Sequence, residues 1–153
     1  FQRSLYKVHG PIIYFGTRGN AEQYQQEGWS RSEGGFTWTE GENAVLQIPI
    51  VKPQSDLVMN ASLGFPFIVP GRLEKQRVTI NINGRKAGEW IVTTPGEYRL
   101  TIPQDDIKGS ELIISFTLPD AASPVDLGIS ADSRKLALAM KAIKLSETGK
   151  NRK

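Results

Sequence analysis

Apolar and polar residues alternate along several short segments of this chain. The two clearest are residues 57–63 and 78–82. A period of two places every second side chain on one face of a β-strand, so both segments are predicted as half-buried strands. The second leads into Asn83-Gly84, a pair typical of type I′ hairpin turns because both central residues of that turn have positive φ. Residues 86–93 are therefore predicted to return antiparallel.

The same alternation continues in residues 44–50, 98–102 and 112–118. The last apolar run, 136–145, is rich in helix formers, and a helix is the alternative there. We favour a strand with a bulge near Met140–Lys141, because a bulge shifts the phase of the alternation by one residue. Short strands separated by Gly and Pro predict an all-β chain, folded as an antiparallel, jelly-roll-like β-sandwich of about eight strands.

Composition limits the classes of function. The 153 residues fit a single domain, with residues 16–145 as the sandwich, 1–15 as a segment joining it and 146–153 as a disordered basic tail. This tail holds three basic residues and one acid, hence +2 of the net charge of +3. The body is then near neutral, so nucleic acid is not predicted as a partner. Cysteine is absent, which excludes disulfides and zinc-thiolate sites.

No apolar run reaches the length of a membrane-spanning helix, so membrane association is expected only through a parent protein. The chain begins at Phe1 rather than at a methionine. We therefore expect a processed chain or part of a larger protein.

Motifs for catalysis and metal binding are weak. His9 is the only histidine and lies near no hydrolase or zinc-protease motif, so neither a catalytic residue nor a cofactor is predicted. "FGTRGNA", with Gly16, Gly19 and Asn20, predicts a turn rather than a phosphate-binding loop. Calcium is kept as an alternative. Its weak candidate ligands are Asp126 and Asp132 in a long loop, 118–134, which also contains Asp120.

Two of the three tryptophans lie in the segment "GWSRSEGGFTWT", residues 28–39. Phe36 and Trp38 are two residues apart and are predicted to fill the core, whereas Trp29 is open to either burial or exposure. A sugar has an apolar C–H face and a rim of hydroxyls, which an aromatic ring with charged neighbours complements. The predicted ligand-binding residues are Trp29, Arg31, Glu33, Trp90 and Arg134. Arg134 and Asp132 are also predicted to form a structural ion pair.

Two longer segments carry a family resemblance: "YQQEGWSRSEGGFTWTEGENAVLQI" and "SPVDLGISADSRKLALAMKAIKL". They resemble the β-sandwich accessory domains of bacterial envelope glycosyltransferases and phosphoglycerol-transferase-like proteins. The chain departs from that pattern at Phe36-Thr37, where Gly-Arg is common. The matching residues are Gly28, Trp29, Glu33, Trp38 and Thr39, then Asp132, Arg134, Leu136 and Leu138. The resemblance implies a galactose-binding-like sandwich without catalytic activity, with the chemistry in another domain.

The residues and the resemblance together predict a carbohydrate-binding or glycan-positioning module of a larger envelope enzyme. Its expected location is periplasmic or extracytoplasmic, and its expected partners are a glycan or sugar-phosphate ligand and the catalytic domain of a parent protein. The alternative is a structural interaction or dimerisation domain with an exposed apolar patch around residues 65–68. A small hydrolase using two of the sixteen acids is the third hypothesis.

Overall fold

The computed structural model describes residues 5–6 and 12–149, which contain ten strands, two short 3₁₀ helices (Ala21–Tyr24 and Gln104–Asp106) and no α-helix. In this part of the chain no helix has the length and apolar character needed to cross a membrane. The strands are β1 (Ile13–Tyr14), β2 (Trp29–Glu33), β3 (Phe36–Glu40), β4 (Asn43–Pro49), β5 (Leu57–Leu63), β6 (Gln76–Ile82), β7 (Arg85–Val92), β8 (Gly96–Ile102), β9 (Glu111–Thr117) and β10 (Leu136–Glu147).

These strands form two antiparallel sheets around one apolar core. The first sheet has the order β2-β3-β10-β5-β8, with β1 also paired to β10, and the second has the order β4-β9-β6-β7. The predicted all-β, jelly-roll-like sandwich is confirmed. The two strands beyond the expected eight are β1, which is only two residues long, and β2, whose sequence WSRSE does not alternate.

The hairpin between β6 and β7 forms as predicted. Asn83 and Gly84 have φ values of 47° and 86°, the positive pair that this turn requires. The Asn83 side chain also ties the turn to β9, since its Oδ1 accepts a hydrogen bond from the Ile113 N–H at 2.7 Å.

β10 is the longest strand and lies inside the first sheet, between β3 and β5. Its register against β5 shifts between Met140 and Ala142, which confirms the predicted bulge and rules out the helix. The strand runs to Glu147, beyond the expected boundary at residue 145, and the Glu147 carboxylate accepts hydrogen bonds from the N–H groups of Gln54 and Ser55. Residues 150–153 of the expected tail lie outside the described residues.

The described part of the N-terminal segment joins the sandwich. Tyr6 bridges to Ile50 and is buried, and Ile13 and Tyr14 pair with β10. His9 lies outside the described residues.

Five aromatic rings form a row through the core. The ring centroids of Phe15 and Trp29 are 5.3 Å apart, and Trp29 lies 6.4 Å from Phe116. Phe116 is in turn 6.2 Å from Trp90, which is 5.8 Å from Tyr98. Because Phe116 and Trp90 belong to the second sheet and Trp29 and Tyr98 to the first, the row holds the two sheets together.

Gly28 sets the start of β2 and therefore the position of Trp29. Its φ is +88°, and a Cβ there would overlap the carbonyl oxygen of Asn43. Gly41 has a φ of +97° but open space around it. An alanine at this position would therefore show the backbone penalty of positive φ without any steric overlap.

We expect Gly28→Ala to lower the free energy of unfolding by about 3 kcal/mol, which combines the left-handed backbone penalty with steric overlap. Gly41→Ala should cost only the first of these, about 1–2 kcal/mol. Urea denaturation of both variants measures the difference. Equal decreases in the free energy of unfolding would show that steric overlap with Asn43 adds nothing to the cost of Gly28→Ala.

Candidate functional site

Trp29 lies at the start of β2, where its half-buried ring belongs to the aromatic row. Its indole N–H donates a hydrogen bond to the carbonyl oxygen of Val45 at 2.9 Å. The ring is therefore fixed by packing and by this bond, and its remaining exposed part faces a cavity.

This cavity, called here the Trp29 pocket, has a volume of about 410 Å³. Residues 14–17, with Gly19, Ala21 and Glu22, line one side, Trp29 and the β2 residues 30–32 line the other, and Thr37 and Gln25 complete the wall. Its volume lies in the range of pockets that bind small molecules.

The predicted turn at Gly16, Gly19 and Asn20 builds one wall of the Trp29 pocket. The Gly19 N–H donates to the Gly16 carbonyl oxygen at 2.9 Å, and the Asn20 side chain accepts a hydrogen bond from the Tyr14 N–H at 2.8 Å. The Thr17 N–H bonds the Gly34 carbonyl oxygen at 2.8 Å, which joins this wall to the β2–β3 turn. The wall is thus held by hydrogen bonds of the predicted turn and by one contact with Gly34, which is distant in the sequence.

The rim of the Trp29 pocket carries hydrogen-bonding groups of both kinds. Arg31 is an exposed cation and Glu22 an exposed carboxylate, while Ser32 and Thr17 supply hydroxyls. Of the predicted site residues, the structure brings Trp29 and Arg31 together here. Glu22 was missed, because it lies in a four-residue 3₁₀ helix that has no periodic signal.

Glu33 and Arg134, also predicted, meet elsewhere. Glu33 pairs with Phe36 across the hairpin, and its Oε2 lies 3.5 Å from the Arg134 Nη1. Arg134 binds Asp132 more closely, with Nη2 to Oδ2 at 2.7 Å and Nε to Oδ1 at 3.0 Å, so the predicted structural ion pair is confirmed. These hydrogen bonds lower the pKa of Asp132 to about 2 and raise that of Arg134.

The prediction that Phe36 and Trp38 fill the core is wrong. On β3 the buried residues are Thr37 and Thr39, whereas Phe36 and Trp38 are half-buried on the opposite face of the sheet. The threonine hydroxyls are satisfied there: that of Thr37 donates to the Phe15 carbonyl oxygen at 2.5 Å, and that of Thr39 accepts from the Leu138 N–H at 3.0 Å. Alternation gives the period of a strand but not which face is buried.

Trp90 does not offer a ligand-binding ring. It is 7% exposed, lies within the aromatic row and donates its indole N–H to the carbonyl oxygen of Arg99 at 2.9 Å. Its neighbour Glu89 pairs instead with Lys86 at 2.8 Å. Trp90 is predicted as a ligand-binding residue because it lies beside Glu89 on the hairpin arm, but its side chain is on the inward face of β7, which is part of the core.

The calcium alternative has no support in the arrangement of the long loop. Asp132 is held by Arg134, and Asp120 by Arg77 at 2.7 Å, a hydrogen bond that lowers the pKa of Asp120. Within residues 5–6 and 12–149, no three metal-ligating side chains of the His, Cys, Asp or Glu type come together. Asp132 is thus held in an ion pair, and among these residues neither it nor Asp126 belongs to such a group.

Of the predicted apolar patch at residues 65–68, only the Phe65 side chain is well exposed. Phe65 is 76% exposed, but Pro66 is buried and Phe67 and Ile68 are half-buried. The Phe67 N–H donates to the Ala137 carbonyl oxygen at 2.8 Å, which lays this segment against β10.

Comparison with known proteins finds similarity in structure only. No family model matches the chain, and no curated protein is similar to it in sequence. A family 35 carbohydrate binding module from an environmental isolate is 12% identical, with a TM-score of 0.48 over 93% of this chain and 92% of that one. The CBM36-1 domain of a multidomain xylanase from the hindgut metagenome of Trinervitermes trinervoides is 14% identical, with a TM-score of 0.49 over 91% of this chain and 98% of that one.

A third structure is a family GH115 4-O-methyl-α-glucuronidase with specificity for decorated arabinogalactans. It is 7% identical, with a TM-score of 0.51 over 94% of this chain and only 17% of the glucuronidase. At these identities the similarity concerns the fold alone. None of the three is a glycosyltransferase or a phosphoglycerol transferase, so that part of the resemblance stays a prediction.

The Asp132–Arg134 pair makes stability depend on pH. The folded-state pKa of Asp132, about 2, lies below its ordinary value of 3.8, so the pair stabilises the fold fully above pH 4 and loses this effect as pH falls through 2. We expect the difference in unfolding free energy between the parent protein and Asp132→Asn to shrink between pH 4 and pH 2. Urea denaturation across this range measures it. In an Arg134→Gln background the same comparison should depend on pH less steeply, because only the Arg134 backbone N–H, 2.9 Å from the Asp132 Oδ1, is then left to lower the pKa of Asp132. An equally steep dependence there would contradict the assignment to the side-chain pair.

Proposed function

We propose that this chain is a carbohydrate-binding module and that its ligand occupies the Trp29 pocket. The observation that carries the proposal is the combination of a partly exposed, rigidly held indole ring with hydroxyl, carboxylate and guanidinium groups around one cavity. Sugars need both elements, an apolar surface for the C–H face and donors and acceptors for the hydroxyls.

The energies required are modest. A millimolar dissociation constant corresponds to about −4 kcal/mol. An aromatic contact contributes about 0.5–1.5 kcal/mol and each hydrogen bond to a charged group about 1.5–3 kcal/mol, so that one ring with Arg31 and Glu22 is sufficient. Hydrogen bonds within the protein hold the walls of the pocket and the Trp29 ring, which limits the entropy lost on binding.

Binding is favoured over hydrolysis at this site. Among the described residues that line the Trp29 pocket, Glu22 is the one carboxylate. Glycoside hydrolysis generally uses two carboxyl groups about 5–9.5 Å apart. A non-catalytic role also agrees with the sequence resemblance to accessory domains.

The fold is compatible with this proposal but does not assign a ligand, because β-sandwiches host many functions. The structures similar in fold include modules described as carbohydrate binding and a glucuronidase. We further infer, from the sequence resemblance, that the module accompanies a catalytic domain of a bacterial envelope protein outside the cytoplasm. Locating the parent protein by cell fractionation tests this part separately, and a cytoplasmic parent would overturn it.

We expect Arg31→Ala and Glu22→Gln each to weaken glycan binding about tenfold, because each removes about 1.4 kcal/mol of charge-assisted hydrogen bonding. Isothermal titration calorimetry with neutral and acidic oligosaccharides, supported by tryptophan fluorescence, measures the change. Arg18→Ala is the matched control, since Arg18 is exposed on the same segment but does not line the pocket. The proposal fails if the parent protein binds no glycan at tens of millimolar, or if both variants bind like the control.

A further inference from the structure

The three tryptophans of the chain differ in the state of their indole N–H groups. Those of Trp29 and Trp90 each donate to a backbone carbonyl oxygen, of Val45 and Arg99 respectively. The N–H of Trp38 has no hydrogen-bond partner among the described residues. It is also not fully buried, since it is absent from the buried polar atoms that lack a partner. A buried Trp N–H normally has a partner within the protein. The N–H of Trp38 has none, so it is available to donate to a ligand or to water.

The Trp38 ring is also held in place. Phe36 lies edge-on to it, with ring centroids 5.7 Å apart and an interplanar angle of 89°. Both rings are half-buried on the outer face of the first sheet, the face opposite to Thr37 and Thr39. A rigid aromatic ring on a strand loses little conformational entropy when a ligand stacks on it.

Two charged groups border these rings. Glu33 is directly across the hairpin from Phe36, so that its side chain lies on the same face, and Arg134 contacts Glu33. The side chains of Arg134 and Glu33 are 33% and 48% exposed. Arg134 is oriented by its short bonds to Asp132, whereas the 3.5 Å contact leaves the Glu33 carboxylate able to accept further hydrogen bonds.

We propose that Phe36, Trp38, Glu33 and Arg134, together the Trp38 face, form a second glycan-binding surface that stacks a neutral pyranose unit on the Trp38 ring. The Trp38 N–H and the Arg134 guanidinium donate to sugar hydroxyls, and the Glu33 carboxylate accepts from one. Asp132, Glu33 and Arg134 together carry a net charge of −1, which disfavours uronic acids and sugar phosphates beside them. The Trp38 face would bind the same class of ligand as the Trp29 pocket, and this inference rests on the proposed function. The two sites have no residue in common.

Nuclear magnetic resonance of the ¹⁵N-labelled protein tests the proposal, because the three indole N–H groups give three separate resonances. Trp38→Phe assigns one of them by its disappearance. Titration with cellohexaose, xylohexaose and mannohexaose should shift the Trp38 resonance with at least one of these neutral probes. Trigalacturonic acid should leave it unchanged at the same concentrations.

The variants refine this test. Trp38→Phe keeps a ring but lacks the N–H, and we expect it to weaken binding at this face three- to tenfold, while Trp38→Ala should abolish it. Glu33→Gln changes an exposed side chain and leaves both rings in place, and we expect it to weaken glycan binding at the Trp38 face at least threefold. It replaces Trp38→Ala as the test if that variant does not fold. Phe65→Ala removes an exposed ring elsewhere and should change nothing.

The two sites can fail separately. In Arg31→Ala the Trp38 resonance should still move, because Arg31 lines the Trp29 pocket and is not one of the four residues of the Trp38 face. A Trp38 resonance that no neutral probe moves at tens of millimolar overturns the Trp38 face, whatever happens at the pocket. An equal response to trigalacturonic acid, or undiminished binding in both Trp38→Ala and Glu33→Gln, also overturns it.

Discussion

The row of five aromatic rings is the interaction on which the rest of the molecule depends. It begins at Phe15 in the N-terminal segment, passes through Trp29 and Phe116, and ends with Trp90 and Tyr98. Large rings in edge and tilted contacts bury much apolar area and attract one another beyond that area. The row also fixes the edge strand β2, whose polar sequence supplies few apolar contacts of its own. Trp29 packs against the core and thereby anchors the β2 side of the pocket.

The two faces of β3 lie in different environments, one in the core and the other on the outer surface of the first sheet. Its threonines enter the core with their hydroxyls bonded to backbone groups of neighbouring segments, which removes the cost of burying them. Its aromatic residues are left on the outside, where Trp38 keeps a free donor. The pocket and the outer face therefore lie on opposite sides of one short hairpin, so that ligands at the two positions would not compete for the same groups. Linked units of a single glycan would gain affinity from both only if the chain could reach around this edge.

Much of the fold could be predicted from the sequence, because alternation and turn chemistry are local. Residues 57–63 match β5 at both ends, the Asn83-Gly84 hairpin formed, and the bulge near Met140 is present. β1 and β2 gave no local signal, since one is too short and the other too polar. The candidate site was harder to predict from the sequence, because Arg134 meets Glu33 across 101 residues of chain and Glu22 lies in a 3₁₀ helix without a periodic signal. Whether a tryptophan is core or surface depends on which face of its strand is buried, and this reversed the expected roles of Trp38 and Trp90.

The position of β10 has a consequence for how the chain acquires its structure. All strands of the second sheet precede β10 in the sequence, whereas the first sheet needs β10 in its interior, between β3 and β5. During synthesis the second sheet can pair its four strands while β3 and β5 still lack their common neighbour. Contacts between distant parts of a chain form late and slowly, and unpaired strand edges invite association with other chains. The completion of the first sheet is thus the step at which a newly made molecule is most exposed to aggregation, and premature termination before residue 136 would leave that sheet permanently open.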